Sequence, residues 1–553
     1  MALGRVSISI DLHDLETLVG RKLGIDELRE LIKFAKIEID KVEGEKVELE
    51  VTHDRPDHFS VEGISRTFKG ILGIEVGLAG LESTWRTDLS HIDDVPNRKY
   101  VVFAIMRDFS LSDEAIRQMI QLQEKLSIIY GRNRRRASIG VYDLSKVDLP
   151  VVYRQANMDD VSYVPLEMNR EVRGTELFSL EKGKMYGEYA ILNGRVPIIA
   201  DSNGRILAVA PVLGSELTKV DPSTRDVLID VTATDVKSLR EVFTIFVYGL
   251  RERTRNRVVE IIGTNAISEA DLRPTERRIG LRDINERLGT SLSIDEAVDL
   301  LLRARHDASK SSEELIQVRI APYRLGVIHA VDIIEDVAII KGYHELRGIN
   351  PPSPSSGRLH PATRLIGLIR EAMIGLGAQE VMNYVLTDPY LASLGGTPIK
   401  LVNPISELYS MVRTAIWPQL ISLLARNKTL APRKPKVFEV GRVASINGSS
   451  VIEENHLGFA ITGNEVTLTD VLVMSSSLIN QLGLEAKYEA INEENGISGR
   501  SVKIIVSGFT IGKAFEVNPD ILVKLGLENP TGVFEVSIDE LLRLIFSSDS
   551  GVR

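Results

Sequence analysis

The sequence predicts a multidomain α+β protein, and three observations carry that prediction. Runs that alternate apolar and polar residues, such as Val6-Ser-Ile-Ser-Ile10, are interspersed with segments whose apolar residues recur at helical spacing. The 553 residues are several times the length of a usual domain. A Pro/Ser/Gly-rich stretch, Asn350-Pro-Pro-Ser-Pro-Ser-Ser-Gly357, reads as a linker.

A small α+β domain is expected over residues 1–85. Its first strand is Val6–Ile10, followed by helices at Asp14–Gly20 and Ile25–Phe34, the first closed by Gly20. A second alternating run, Val47–Val51, leads into Thr52-His-Asp-Arg-Pro-Asp57, where Pro56 ends the strand and Asp57 is placed to cap the next helix. Residues 86–262 form a larger mixed α/β domain. Its first helix, 113–130, carries Ile116, Met119, Ile120 and Leu126, and its last places Leu239, Val242, Phe243, Phe246, Val247 and Leu250 on one stripe. Such a stripe is core far more often than a cofactor box. Residues 270–347 form a third, small helical/α+β domain. It opens with helices at Leu281–Leu288 and Ser293–Arg303, the second with Ser293 and Glu296 in a capping-box pattern. Residues 359–553 make the fourth and largest core.

Composition removes whole classes of chemistry. There is no cysteine, so disulfides, thiolate nucleophiles and Cys-ligated zinc are excluded. The net charge of −10 does not suit a chain that coats nucleic acid by overall charge, so such contacts need local basic patches. No apolar run reaches the ~18 residues of a membrane span, and Met1-Ala-Leu-Gly-Arg lacks a signal-peptide layout, which reads as cytoplasmic. The P-loop, dinucleotide and nucleophile-elbow motifs are absent; Gly375-Leu-Gly377 stops short of a fingerprint.

Two clusters remain. Asp332, Glu335 and Asp336 fall at spacings that put three carboxylates on one helical face. They suit either a solvated acidic turn or a Mg²⁺ ion. Arg132, Arg134, Arg135 and Arg136 follow a helix end. They suit the helix dipole on a solvated face, a partner's acidic face or phosphates.

Several segments, taken in order, resemble the phenylalanine–tRNA ligase beta subunit family in its archaeal and eukaryotic form. Thr52–Gly63 is similar to its Asn-Arg-Pro-Asp…Ser-Val-Glu-Gly segment, with Asp54 in place of the asparagine. Pro322–Tyr343 resembles its metal-associated domain. Asn403-Pro404, Val412-Arg-Thr414 and Val437–Gly441 resemble its class II synthetase-like antiparallel-sheet module, and Val164-Pro-Leu166 and Asp230–Asp235 its editing-type, tRNA-binding domain. The resemblance spans residues 5–545. It implies an (alpha-beta)₂ heterotetramer that joins phenylalanine to tRNA(Phe) with ATP. The aminoacylation centre and its ATP lie on the alpha subunit, and the beta module is non-catalytic; residues 359–553 indeed lack the Gly-x-Gly-x-x-Arg motif. It further implies Mg²⁺ at Asp332, Glu335 and Asp336, and an editing pocket near Ser202, Ser215 and Asp235.

Departures stand beside it. Gly326 occupies the position of a further family aspartate, and Ala208, Ala210 and Gly214 replace a Ser, a Pro and an Asn, which weighs against a polar editing pocket. The rival classes are a non-enzymatic scaffold that is functional alone and a freestanding hydrolase of misacylated tRNA. The ligase-subunit reading differs in requiring an exposed apolar surface for an alpha chain.

Overall fold

The computed structural model describes residues 5–348, 350–351, 355–448 and 450–546, so 352–354 of the expected linker lie outside the described residues. The chain divides into two units, Met1–Pro351 and Pro352–Arg553. Both mix helices with sheets. Among the described residues no helix is long and apolar enough to cross a membrane.

The first unit is built on four principal sheets. Strands Val6–Asp11, Lys46–Val51 and Ile37–Glu43 form an antiparallel three-stranded sheet, and the helix Leu12–Val19 ends at Gly20 with φ 87°. That left-handed C-cap is where glycine is cheapest. Asp57 does not cap the following helix. Arg55 grips its buried carboxylate, Nη2 to Oδ2 at 2.9 Å, and Ser60 takes the N-cap position before Val61–Ile71.

Two five-stranded sheets stack face to face next. One orders Glu82–Trp85, Val258–Thr264, Tyr100–Met106, Val227–Ala233 and Ala137–Asp143; the other runs from Leu213–Gly214 through Ile206–Val209, Arg195–Ala200 and Val151–Asn157 to Ser90–Ile92. The strand 100–106 shows why it is apolar at almost every position. Val101, Phe103 and Ile105 pack into the space between the sheets, while Val102, Ala104 and Met106 pack under the helices Asp113–Ile129 and Val236–Leu250. With both faces buried, alternation disappears. A three-stranded sheet of Thr275–Gly280, Leu315–Ile320 and Asp307–Lys310, with helices Leu281–Leu288, Ile294–Arg303 and Ala330–Lys341, completes the unit. The Ser293–Glu296 capping box forms as expected.

The second unit is organised by a seven-stranded sheet ordered Gln379–Glu380, Lys436–Asn447, Ser450–Thr462, Thr531–Ser537, Phe509–Val517, Gly496–Val506 and Ala486–Ala490, antiparallel except at its first pair. Phe438, Leu457, Phe459 and Phe534 pack on one face with Leu365, Ile369 and Leu478. Val437, Ala460, Phe515 and Val533 pack on the other with Trp417 and Leu420.

Candidate functional site

A cavity of about 280 Å³ opens in the first unit beside the two stacked sheets. Ile116, Met119 and Ile120 from the helix Asp113–Ile129 give it an apolar wall, with Ala208, Ala210, Pro211, Leu213 and Gly214 opposite. Ser138, Tyr142, Asp230 and Ser215 supply polarity. Asp230 and Tyr142 sit on adjacent strands, and the Tyr142 hydroxyl donates to Asp230 Oδ2 at 2.8 Å. Both side chains cross over Gly140, where a Cβ would collide with Asp230 Oδ2 and the Tyr142 hydroxyl. Gly140 is therefore required by close approach.

Among the described residues no cationic side chain is hydrogen-bonded to Asp230. Burial pushes its carboxyl up to about 7, against the opposing pull of the Tyr142 hydroxyl and the charge of Arg98. Arg98 is itself fully buried and lies behind the cavity. It donates to Thr232 Oγ1 at 2.7 Å, Ser138 Oγ at 2.9 Å and the Arg134 carbonyl at 3.1 Å.

The expected site residues divide. Ser215 lines the cavity. Ser202 does not: it belongs to the turn after Arg195–Ala200, its N–H donating to the Asp148 carbonyl. Asp235 does not either, because its carboxylate accepts from Ser238 N as the N-cap of Val236–Leu250. Asp230 and Tyr142 line the cavity instead. They lie 88 residues apart, and only strand pairing joins them. The polarity that Ala208, Ala210 and Gly214 remove from one wall thus returns from the facing sheet.

The arginine cluster also divides. Arg132, Asn133 and Arg134 all have positive φ, a tight left-handed reversal that follows the helix Asp113–Ile129. Arg132, Arg135 and Arg136 are exposed. Arg134, grouped with them as a surface contact, instead turns inward. It donates to the Pro211 and Val212 carbonyls at 3.2 and 3.1 Å and stacks on Tyr186, so it braces the cavity wall.

The three carboxylates of Ala330–Lys341 do not converge, which corrects the single face inferred from their spacing. Asp332 folds back to accept from Ile328 N and His329 N as part of a capping box. Asp336 is buried, accepts from Arg324 Nη2 at 2.7 Å and lies 2.8 Å from His306 Nε2. Burial alone would raise Asp336; Arg324 and His306 outweigh it and hold the carboxyl well below its usual range. Glu335 pairs with Lys36 at 2.7 Å, and Lys36 also reaches Asp54 at 2.9 Å. Each carboxylate already has its partner. Among the described residues no three His, Asp or Glu side chains are grouped as cation ligands, and this arrangement does not fit Mg²⁺. The positive charge beside Glu335 is an ammonium.

Three family models match in order: the B3/4 domain over 111–270, the tRNA synthetase B5 domain over 278–343 and the phenylalanyl tRNA synthetase beta chain CLM domain over 349–538. The phenylalanine–tRNA ligase beta subunit of Pyrobaculum aerophilum is 38% identical, covering 96% of this chain and 99% of the relative. The chain belongs to the phenylalanine–tRNA ligase beta subunit family. The beta subunit of Thermofilum pendens is 36% identical over 97% and 98% of the two chains. A crystal structure of an N-terminal fragment of the phenylalanyl-tRNA synthetase beta subunit from Pyrococcus horikoshii superposes with a TM-score of 0.56 at 31% identity, covering 61% of this chain and 99% of that one. Within the B3/4 match, residues 111–270, fall Tyr142, Asp230 and most of the cavity wall.

Proposed function

We propose that this chain is the beta subunit of an (alpha-beta)₂ ligase that attaches phenylalanine to tRNA(Phe) using ATP, with the aminoacylation centre on the alpha subunit. The observation that carries this reading is the match to archaeal beta subunits over almost the whole of both chains. A second supports it. In the second unit Met382, Tyr384, Val402, Ile405 and Leu408 lie 67–106% exposed within 27 residues, an apolar concentration that suits a partner subunit. The four-domain division 1–85, 86–262, 270–347 and 359–553 accompanies the proposal, with an editing-type second domain and a synthetase-like fourth. Pyrophosphate exchange by the purified chain, with and without an alpha subunit, tests it. Exchange is expected only with alpha present; robust exchange by the chain alone overturns the assignment.

Proofreading fits the cavity of the first unit. Its apolar wall suits an aromatic ring, and Asp230 beside Tyr142 supplies a hydroxyl-reading group. A site that hydrogen-bonds a hydroxyl rejects the analogue lacking it by large factors, because its own polar groups would stay unpaired. Tyrosine esterified to tRNA(Phe) is the substrate this selects. The exposed Arg132, Arg135 and Arg136 follow the helix that forms the cavity's apolar wall and suit tRNA phosphates. In the assembled complex Asp230→Ala should abolish hydrolysis of Tyr-tRNA(Phe) while leaving phenylalanylation intact. Reversing the three arginines should flatten the salt dependence of tRNA binding by about one log–log unit for each phosphate no longer neutralised. Unchanged hydrolysis, or an unchanged slope, removes the corresponding role.

A further inference from the structure

A second cavity, about 480 Å³, lies in the other unit on the face of the seven-stranded sheet that carries Trp417. Alternation of side chains across a strand decides which residues reach it. Glu454 and His456 share the face of Ala460, Lys513 that of Phe515, and Glu535 and Ser537 that of Val533. On this face the apolar core stops at Phe515 and Val533. Beyond them the surface becomes charged rather than simply polar.

Charges of both signs meet there. Glu454, Glu535 and Glu540 line the cavity with Lys503, Lys513 and His456. His456 Nδ1 lies 2.7 Å from Glu535, and its Nε2 3.2 Å from Glu454. Burial would depress this imidazole, but the two carboxylates outweigh it and raise it above its ordinary value.

Two features are unexplained by the fold alone. Lys503 and Lys513 are direct cross-strand partners, an arrangement of like charges that destabilises a sheet. Their pairings with Glu489 and Glu493 offset part of that cost. The indole N–H of Trp417, fully buried against the same cavity, has no hydrogen-bond partner. An anion set between the two ammonium groups would relieve what remains of their repulsion, and the Trp417 ring offers an apolar wall beside them.

We propose that this cavity binds a free α-amino acid with an apolar or aromatic side chain. The α-carboxylate would lie between Lys503 and Lys513 and relieve their repulsion. The α-ammonium would face Glu454 and Glu540, and the side chain would pack against Trp417 and Ile491. This is separate from the esterified amino acid expected in the first unit. It gives the synthetase-like module a sensing role without catalysis.

Equilibrium dialysis of the purified full chain against radiolabelled L-phenylalanine tests the site, with Trp fluorescence as a second readout. Saturable binding is expected, and Lys513→Met and Glu454→Gln should each weaken it at least about tenfold. N-acetyl-L-phenylalanine amide, which lacks both charges, should not compete. Circular dichroism melts identify any variant that fails to fold, and Lys503→Met then replaces it. Competition by the blocked analogue overturns the zwitterion reading. Absence of binding up to the order of 10 mM overturns the site, since a millimolar Kd would already be evident. Binding kept in Lys513→Met but abolished in Asp230→Ala places the amino acid in the other unit and overturns it equally.

Discussion

Asp230 and Asp336 are both buried aspartates of the first unit, and their carboxyls are shifted in opposite directions. Asp336 touches Arg324 and His306 and is locked as a carboxylate. Asp230 touches a phenol and is lifted to about 7, so near neutrality it both donates and accepts. Burial is common to the two; the partner decides. The locked charge fastens the helix Ala330–Lys341 to Arg324. The unlocked one faces a cavity, where a proton available in either direction is useful.

The largest expected effect breaks the locked partner. Asp336→Asn leaves Arg324 buried without its carboxylate, which should cost about 3–5 kcal/mol in chemical denaturation. Next comes Gly140→Ala, whose methyl group would push Asp230 and Tyr142 apart; a loss of about 1–3 kcal/mol together with a closed cavity is expected.

The pH dependence should separate the two aspartates by sign. For Asp230 the folded state favours the protonated form. Its contribution is full below the unfolded value near 3.9 and lost as pH rises toward about 7. Asp336 contributes in the opposite sense, fully above about 4, and loses its contribution as pH falls through its depressed folded value. Denaturation at pH 5 and pH 8 should therefore find Asp230→Asn gaining on the parent chain at the higher pH. A gain that does not depend on pH would mean that Asp230 is not lifted. The smallest effect belongs to the exposed end of the same helix that holds Asp336. Asp332→Asn should cost about 0.5–1 kcal/mol through loss of the cap, equally with Mg²⁺ or EDTA. A loss confined to Mg²⁺ would restore the cation.

Local features were legible in the sequence because short-range chemistry fixes them. Gly20 and the Ser293–Glu296 box terminate helices by contacts within a few residues. The stripe from Leu239 to Leu250 is buried for the same periodic reason. Site residues were legible only where the resemblance supplied them, and partly even then. Asp235 has the right residue type, yet its side chain is consumed by a helix N-terminus, while Asp230 five residues earlier enters the cavity. Spacing along a helix likewise said nothing of Arg324, His306 or Lys36, which capture Asp336 and Glu335 from 12, 30 and about 300 residues away. Strand pairing and inter-element packing carry no local period.

Gly326 and Asp54, two departures from the family pattern, are far apart in the chain but close in space. A Cβ placed on Gly326 would come within 2.9 Å of the Asp54 carbonyl oxygen, so the two positions are neighbours. A side chain at 326 therefore depends on the backbone at 54. An aspartate restored at 326 would crowd the backbone of a residue whose own carboxylate is held by Lys36, adding a negative charge beside it. Lys36, Asp54 and Gly326 thus form one spatial unit, in which the tolerance of position 326 for a side chain is set by a residue more than 270 positions earlier in the chain.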